Sequence, residues 1–462
     1  MADKLTTYRR MRDARRTPEP VPSDGPLPQG NDDTFVIQEH HARRLHWDVR
    51  LERGGVLVSW AVPRGLPLDP ATNHLAVHTE DHPLEYASFE GVIPRGEYGG
   101  GKMILWDRGR YVVEKWTDRE VKVVLDGTRA RGRYVFFRVR DRDWMVHRMD
   151  PPPTPDWRPM PEHVVPMRPV AGPLPDPAED GGWAYEMNWG GARAVVFVDG
   201  GRARVDDAGG DDITSRYPEL RALGPELGST VCVLDGEIVV LDGGRPSGAR
   251  LRERASTQTS AQIRRLSTGA PVTYLVFDLL HLDRTDTVDL SYTERRELLD
   301  RLSLRGSHWD TSPSFDGGAA ALQASRDLGL DGIVAKRRDA PYEVGRRSPT
   351  WREVSGRPTL DVVIGGWTPG RDPGLPGALL VGVATDDGVA YAGTVRSGLS
   401  AAVKGTLAPR MRRLARKTSP FTGQAPTPAD AQWVRPVLTA DVSHDGWTSD
   451  GRLRRPTLLR IH

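Results

Sequence analysis

The chain has 462 residues, 64 basic against 62 acidic, and a single cysteine. Its length exceeds one hydrophobic core and predicts two or three domains. The near balance of charge excludes a global field, so any anion-binding face must be local, and the lone Cys232 excludes an internal disulfide framework. No run of about 18 apolar residues occurs and the first twenty residues hold no apolar signal core, so a reducing cytoplasm is expected rather than export or a membrane.

The first thirty or so residues are polar and charged and read as an arm. From 34 to 148 short β-type runs (TFVIQ, LHWDVRLE, VLVSWAV, KMILW, RYVVEKW, VKVVL, RYVFFRVR, DWMVHR) alternate with turn residues, which predicts an all-β barrel or sandwich, with arm and barrel filling 1–150. The proline-dense stretch 151–180 predicts a stiff, extended linker without regular structure. Strands and helical stretches mix from 181 to 358, an α+β domain. From 359 to 462 strands and turns surround a basic helix-like run, a small barrel with 13 Lys plus Arg against 8 Asp and no Glu.

In QEHHARRLHWDVRLE, alternation puts His46, Asp48 and Arg50 on one face of a strand, with His40 entering from the preceding turn. Imidazoles and a carboxylate in a His-x5-His-x-Asp cluster suit Mn or Zn with open coordination positions. Arg50 could hold a phosphate oxygen with its planar fork. Downstream, HTEDHPLEY offers His82 and Tyr86 as acid, base or phosphate ligand. Alternation alone would equally make these the solvent-facing residues of a half-buried strand.

These stretches, with SWAVPRG, EGVIPRGEYGGG and WDRG, closely resemble the 3'-phosphoesterase domain of bacterial ligase D, an end-joining repair enzyme, over roughly residues 8–150. The resemblance implies a Mn-dependent β-barrel that removes a 3'-terminal ribonucleoside and then the 3'-phosphate. It makes His40, His46 and Asp48 the metal ligands, Arg50 the phosphate clamp, His82 essential and Tyr86 supporting, and it assigns Arg12, Asp13 and Glu19 to an arm that closes the site. Two positions depart from the family pattern. Arg64 stands for Lys, and His74 stands for a phosphate-binding Arg, which removes a full positive charge over much of the neutral range and predicts weaker phosphate removal.

WAYEMNWGGARA (183–194), VLDGEIVVLD, TYLVFDLL, DGIVAKRRDAPYEVGRRSPTWREVS and the basic tail resemble an ATP-dependent DNA ligase of the same repair type over about 165–462. That implies a nucleotidyltransferase domain followed by an OB-fold. Where the family places its lysine nucleophile stands Asn188, whose amide lone pair is delocalised and cannot form the phosphoramidate. No Lys lies between Lys122 and Lys336. Gly190 replaces the family's Asp, and Glu353 and Ser355 replace two lysines after Trp351; a carboxylate where a triphosphate should lie is repulsive. Four changes in one cleft point to a lost self-adenylation. Glu186, Arg193, Arg216, Glu237, Phe277 and Lys336 keep family positions, either as packing residues or as a surviving site for ATP or a DNA-adenylate.

Three readings follow. The first is a Mn-dependent 3'-end-healing phosphoesterase on a ligase-like scaffold that binds DNA ends and duplex DNA through its basic tail barrel and RRDAPYEVGRRSPTWR. The second is a working ATP-dependent ligase, and the third a non-catalytic DNA-end-binding protein. Expected partners are end-joining proteins such as Ku or a separate active ligase, at the bacterial nucleoid.

Overall fold

The structure is a computed structural model describing residues 3–152, 157–257, 259–370, 372–422 and 428–462. Strands β1 (Thr34–His41), β2 (Leu45–Arg53) and β3 (Val56–Val62) form an antiparallel meander. The sheet continues through Asn73–His78, Asp143–Arg148, Arg131–Arg140, Glu120–Gly127 and Gly101–Trp116, and the last of these pairs back onto β1, closing an eight-stranded barrel. Closure leaves no open edge among these strands. The inward-facing set of the alternating pattern, including Phe35, Trp47, Val49, Trp60, Tyr134 and Phe136, fills the barrel core.

Three expectations about this region are corrected. KMILW and RYVVEKW belong to one 16-residue strand, Gly101–Trp116, rather than two. Its bulge opposite Ile37 and Gln38 absorbs Trp106, one extra residue that bends the strand without ending it. His40 does not come from a turn: β1 runs to His41, and His40 pairs directly with His46 across the ladder. The polar face of β2 is not solvated either, since Asp48 and Arg50 are buried beneath the N-terminal arm and the loop around His82. The arm itself is structured. A short helix, Thr6–Arg10, seats Tyr8 fully buried against the rings of His82 and Tyr86.

The nucleotidyltransferase region is α+β. Ala192–Asp199, Arg202–Asp207, Cys232–Asp242 and Val272–Leu282 build its large antiparallel sheet, whose outer face packs the helices around Leu220, Leu251 and Leu299. The other face meets Phe277, Tyr342 and Trp351. The proline-dense stretch differs from expectation, apart from residues 153–156, which lie outside the described set. Arg168–Ala171 pairs as a strand with Arg347–Ser355, and Val164 and Met167 are buried with Phe277 and Trp351. Proline bars neither an edge strand nor burial of the apolar residues between prolines.

By contacts the chain forms two compact units. One holds the barrel and most of the nucleotidyltransferase region, through Val170, Pro175–Gly318 and Val334–Arg352; the other holds Ala171–Leu174, Ala319–Ile333 and Glu353–His462. The second unit contains an OB-like half-barrel of Thr359–Pro369, Pro376–Thr385, Gly388–Val395, Gln432–Ser443 and Thr457–Ile461, with the helix Ala401–Arg413 over its core. Proline 409 lies inside that helix.

Candidate active sites

A cavity of about 200 Å³ opens at one end of the barrel, lined by His40, His46, Asp48, Arg50, His82 and Tyr86 and by Arg12 and Glu19 of the arm. The ligand atoms of His40, His46 and Asp48 all lie within 4.8 Å of one another. His40 Nδ1 is 3.1 Å from His46 Nε2, and each is 3.6 Å from an Asp48 carboxylate oxygen. The outer ring nitrogens face main-chain carbonyls, His40 Nε2 that of Gly99 at 2.8 Å and His46 Nδ1 that of Arg44 at 3.0 Å. A carbonyl only accepts, so the outer nitrogens carry the protons and two inner lone pairs converge beside a carboxylate. Lone pairs repel in that arrangement, and a divalent cation resolves it. The residues therefore fit a Mn-type ion held by His40, His46 and Asp48.

Burial alone would raise the Asp48 carboxyl. The Arg50 guanidinium, then the two imidazoles, outweigh burial and hold it well below the usual carboxylate range, ready as an anionic ligand. Arg50 is itself spoken for. Its Nε donates to Gln38 Oε1 at 2.7 Å, Nη1 to Ser59 Oγ at 2.9 Å and Nη2 to Asp48 at 3.0 Å, so it is a fixed cationic floor rather than a free clamp. His82 is kept neutral, its pKa driven well below 6.5 by burial and then by Arg50 and Arg12. Its Nδ1 donates to the Glu80 carbonyl at 2.8 Å, which leaves the Nε2 lone pair facing Arg12 Nη2 at 3.3 Å. Tyr86 donates to Glu19 Oε1 at 2.9 Å, and burial pushes its phenol far up, so it stays a neutral donor.

Not every residue named from sequence joins this site. Arg12 and Glu19 do, paired at 2.9 Å, while Asp13 is exposed and caps a turn through the Arg15 amide. Arg64 and His74 are not among the residues lining the cavity. Arg64 is paired with Asp199, and His74 donates to the Gly65 carbonyl at 2.7 Å, with burial and then the Arg64 charge keeping it neutral. Sequence reasoning missed Glu80, which pairs with Arg12 at 3.0 Å, and Gln38, Ser59 and Tyr8. Glu80 stands two residues before His82 in the quoted HTEDHPLEY, on the opposite side of Asp81. Its role becomes legible only when the arm is placed.

In the second cleft, Arg193 grips Asp235 with two bonds of 2.6 Å and lies over the Phe277 ring at 4.6 Å. Tyr342 also donates to Asp235, at 2.6 Å. Lys336 Nζ is 3.0 Å from Glu186 and 4.4 Å from the Phe277 ring centroid, with its pKa lowered mainly by burial. Glu237 accepts from the Gly191 amide at 3.1 Å, and burial raises its pKa. Asn188 Oδ1 accepts from the Gly190 amide at 3.1 Å. Glu186, Arg193, Phe277 and Lys336 are thus brought together. Arg216 stands apart; its carbonyl accepts from Arg254, which also pairs with Glu219.

Family models match the DNA ligase D 3'-phosphoesterase domain over residues 38–138, the ATP-dependent DNA ligase domain over 176–354 and the ATP-dependent DNA ligase C-terminal region over 373–462. Fold, site and these matches define a phosphoesterase domain followed by an ATP-dependent DNA ligase domain. The multifunctional non-homologous end joining DNA repair protein LigD of Mycobacterium tuberculosis is 43% identical over 467 residues, covering 98% of this chain and 59% of that protein. The multifunctional non-homologous end joining protein LigD of Mycolicibacterium smegmatis is 39% identical over 475 residues, covering 99% and 60%. The crystal structure of the ligase domain of the M. tuberculosis protein covers 65% of this chain and 95% of its own at 34% identity, with a TM-score of 0.40. The chain belongs to the ligase D family and spans about 59% of the length of the first of these relatives.

Proposed function

We propose that the chain is a Mn-dependent 3'-end-healing phosphoesterase for DNA ends, carried on a ligase scaffold that no longer adenylates itself. The observation that supports the first half most strongly is the convergence of two imidazole lone pairs and a carboxylate within 4.8 Å beside two buried arginines. Bound there, Mn would act as a Lewis acid on a phosphate oxygen and lower the pKa of a bound water. The chain's own groups do the rest. Arg12 and Arg50 supply positive charge where phosphate negative charge gathers. His82, neutral at pH 7, offers a lone pair on Nε2 to accept a proton, and the arm excludes water through Tyr8.

The second half rests on Asn188, an amide at the nucleophile position, and on Lys336, which is buried and held by Glu186. A working ligase is the competing reading, favoured by the retained Glu186, Glu237 and Lys336. One paired assay decides between them: release of a 3'-phosphate or 3'-ribonucleoside from a primer-template in Mn, beside incubation with labelled ATP and denaturation. Processing lost in His46→Ala, with no covalent adenylate, is the expected result. A labelled chain would overturn the second half.

A further inference from the structure

The turn between Ala192–Asp199 and Arg202–Asp207 is built to touch the barrel. Gly200 and Gly201 adopt φ of 55° and 66°, and a Cβ on Gly201 would lie 2.2 Å from Leu45 Cδ2, one on Gly200 3.0 Å from the Arg64 Cα. Only glycine suits both the conformation and the approach. Beside it Asp199 is shared by Arg64 of the barrel and Arg284, whose Nη2 is 3.1 Å away, and Trp106, the bulged residue, donates to Ser229 Oγ at 2.9 Å. This seam frames a bay of about 600 Å³ walled by Arg64, Arg202, Arg204 and Arg221 against Asp199 and Asp212.

The bay's charges are not all spent. Asp199 is already neutralised by its two arginines. Arg204 lies over the Phe197 ring at 4.2 Å and donates to the Glu162 carbonyl. Asp212 accepts from the Thr214 amide at 2.8 Å and is also near enough to Arg204 and Arg221 to feel their charges, so of the bay's arginines Arg202 is the freest. Arg202 and Arg221 are exposed, and among the described residues the Arg202 guanidinium has no hydrogen-bond or ion-pair partner. The bay is far larger than one phosphate, and its aromatic floor, Phe197, is only 2% exposed beneath Arg204. Single-strand binders use open aromatic faces for stacking. A basic bay without one suits a backbone alone.

We propose that this bay, at the seam beside the barrel, holds the sugar-phosphate backbone of duplex DNA through Arg202 and Arg221 of the nucleotidyltransferase region. The inference rests on the reading that the chain works on DNA ends, and its test is independent of cleavage.

The full chain is titrated with a blunt 20-base-pair duplex carrying 3'-hydroxyls, in EDTA, over a range of salt. In Arg202→Ala/Arg221→Ala, affinity is expected to fall roughly tenfold near 0.15 M salt and the slope of log K against log salt to become shallower by about 1–2, as expected for the loss of one or two phosphate contacts. Arg202→Lys/Arg221→Lys should keep the wild-type slope. An unchanged slope in the alanine variant, or a loss confined to single strands, would overturn the proposal. Hydrogen exchange on the wild-type chain gives a second reading that needs no variant: duplex should protect 199–205, and no protection there would also overturn it. Because EDTA removes any metal, failure of Mn-dependent cleavage leaves both readouts intact.

Discussion

His40 Nδ1 and His46 Nε2 face one another across 3.1 Å, each locked in that sense by a main-chain carbonyl on its far side. The pair is preorganised for a cation and unfavourable without one. Mn should therefore raise the melting temperature of the chain, with a gain near 2.7 kcal/mol expected when free Mn is about 100 times its Kd. Asp48→Asn should abolish that gain and the 3'-processing activity together. Differential scanning fluorimetry with and without Mn checks this, and an undiminished Mn shift in Asp48→Asn would remove Asp48 from the ligand set.

Acid should weaken the metal-free barrel. Folded His82 takes up a proton only well below 6.5, whereas the unfolded chain does so near 6.5. Between those values the unfolded state holds more protons, so stability rises with pH and is lost as pH falls from about 7 to 5. His74 and His78, also lowered by burial, act in the same sense. Asp81, pushed up to about 6 by burial, opposes them over part of that window. The cleanest measure is thus a difference. His82→Gln should flatten the pH dependence of urea unfolding in EDTA by on the order of 1 kcal/mol between pH 7 and 5; identical pH profiles would mean that His82 is not held neutral.

The arm should detach when its buried pair is broken. Arg12 sits at 2.9 Å from Glu19 and 3.0 Å from Glu80, all three side chains under 10% exposed. Removing the cation leaves two buried carboxylates uncompensated, a loss of about 3–5 kcal/mol. Arg12→Ala should make the arm a ready target for limited proteolysis and strip the chain of 3'-processing. An arm as resistant as wild type would show that Tyr8 packing alone holds it.

If self-adenylation is lost as proposed, an amine at position 188 alone should not bring it back. Asn188→Lys supplies a nucleophile, but by the proposed resemblance Gly190, Glu353 and Ser355 remain at positions of an acid and two cations. The expected outcome with labelled ATP is no covalent adenylate from the single variant. Adenylation by Asn188→Lys would show that the rest of the cleft is competent.

The alternation of LHWDVRLE was enough to put His46 and Asp48 on one face, because a strand's two-residue period fixes which side chains share a face, whereas His40 joins them through a cross-strand pairing with His46 where the sequence alone predicts a turn. The burial of that face was not legible. It depends on Tyr8 and Arg12 folding back from the N-terminal arm, and a polar, charged arm carries no periodic signal of docking. For the same reason Arg50 reads as a free clamp in sequence and is a saturated strut in the fold, held by Gln38 and Ser59 from neighbouring strands. The proline-dense stretch misled through its composition. Prolines exclude central ladder positions, but Val164 and Met167 between them carry enough apolar surface to be buried.

Part of the barrel site is written in backbone. The carbonyl that orients His40 belongs to Gly99, at φ 74°, a conformation that a side chain would resist. On the proposed metal reading, a substitution at that glycine would loosen the imidazole while leaving all three candidate ligand side chains in place. An inventory of ligands would count such a site as intact although the turn that aims the imidazole had changed.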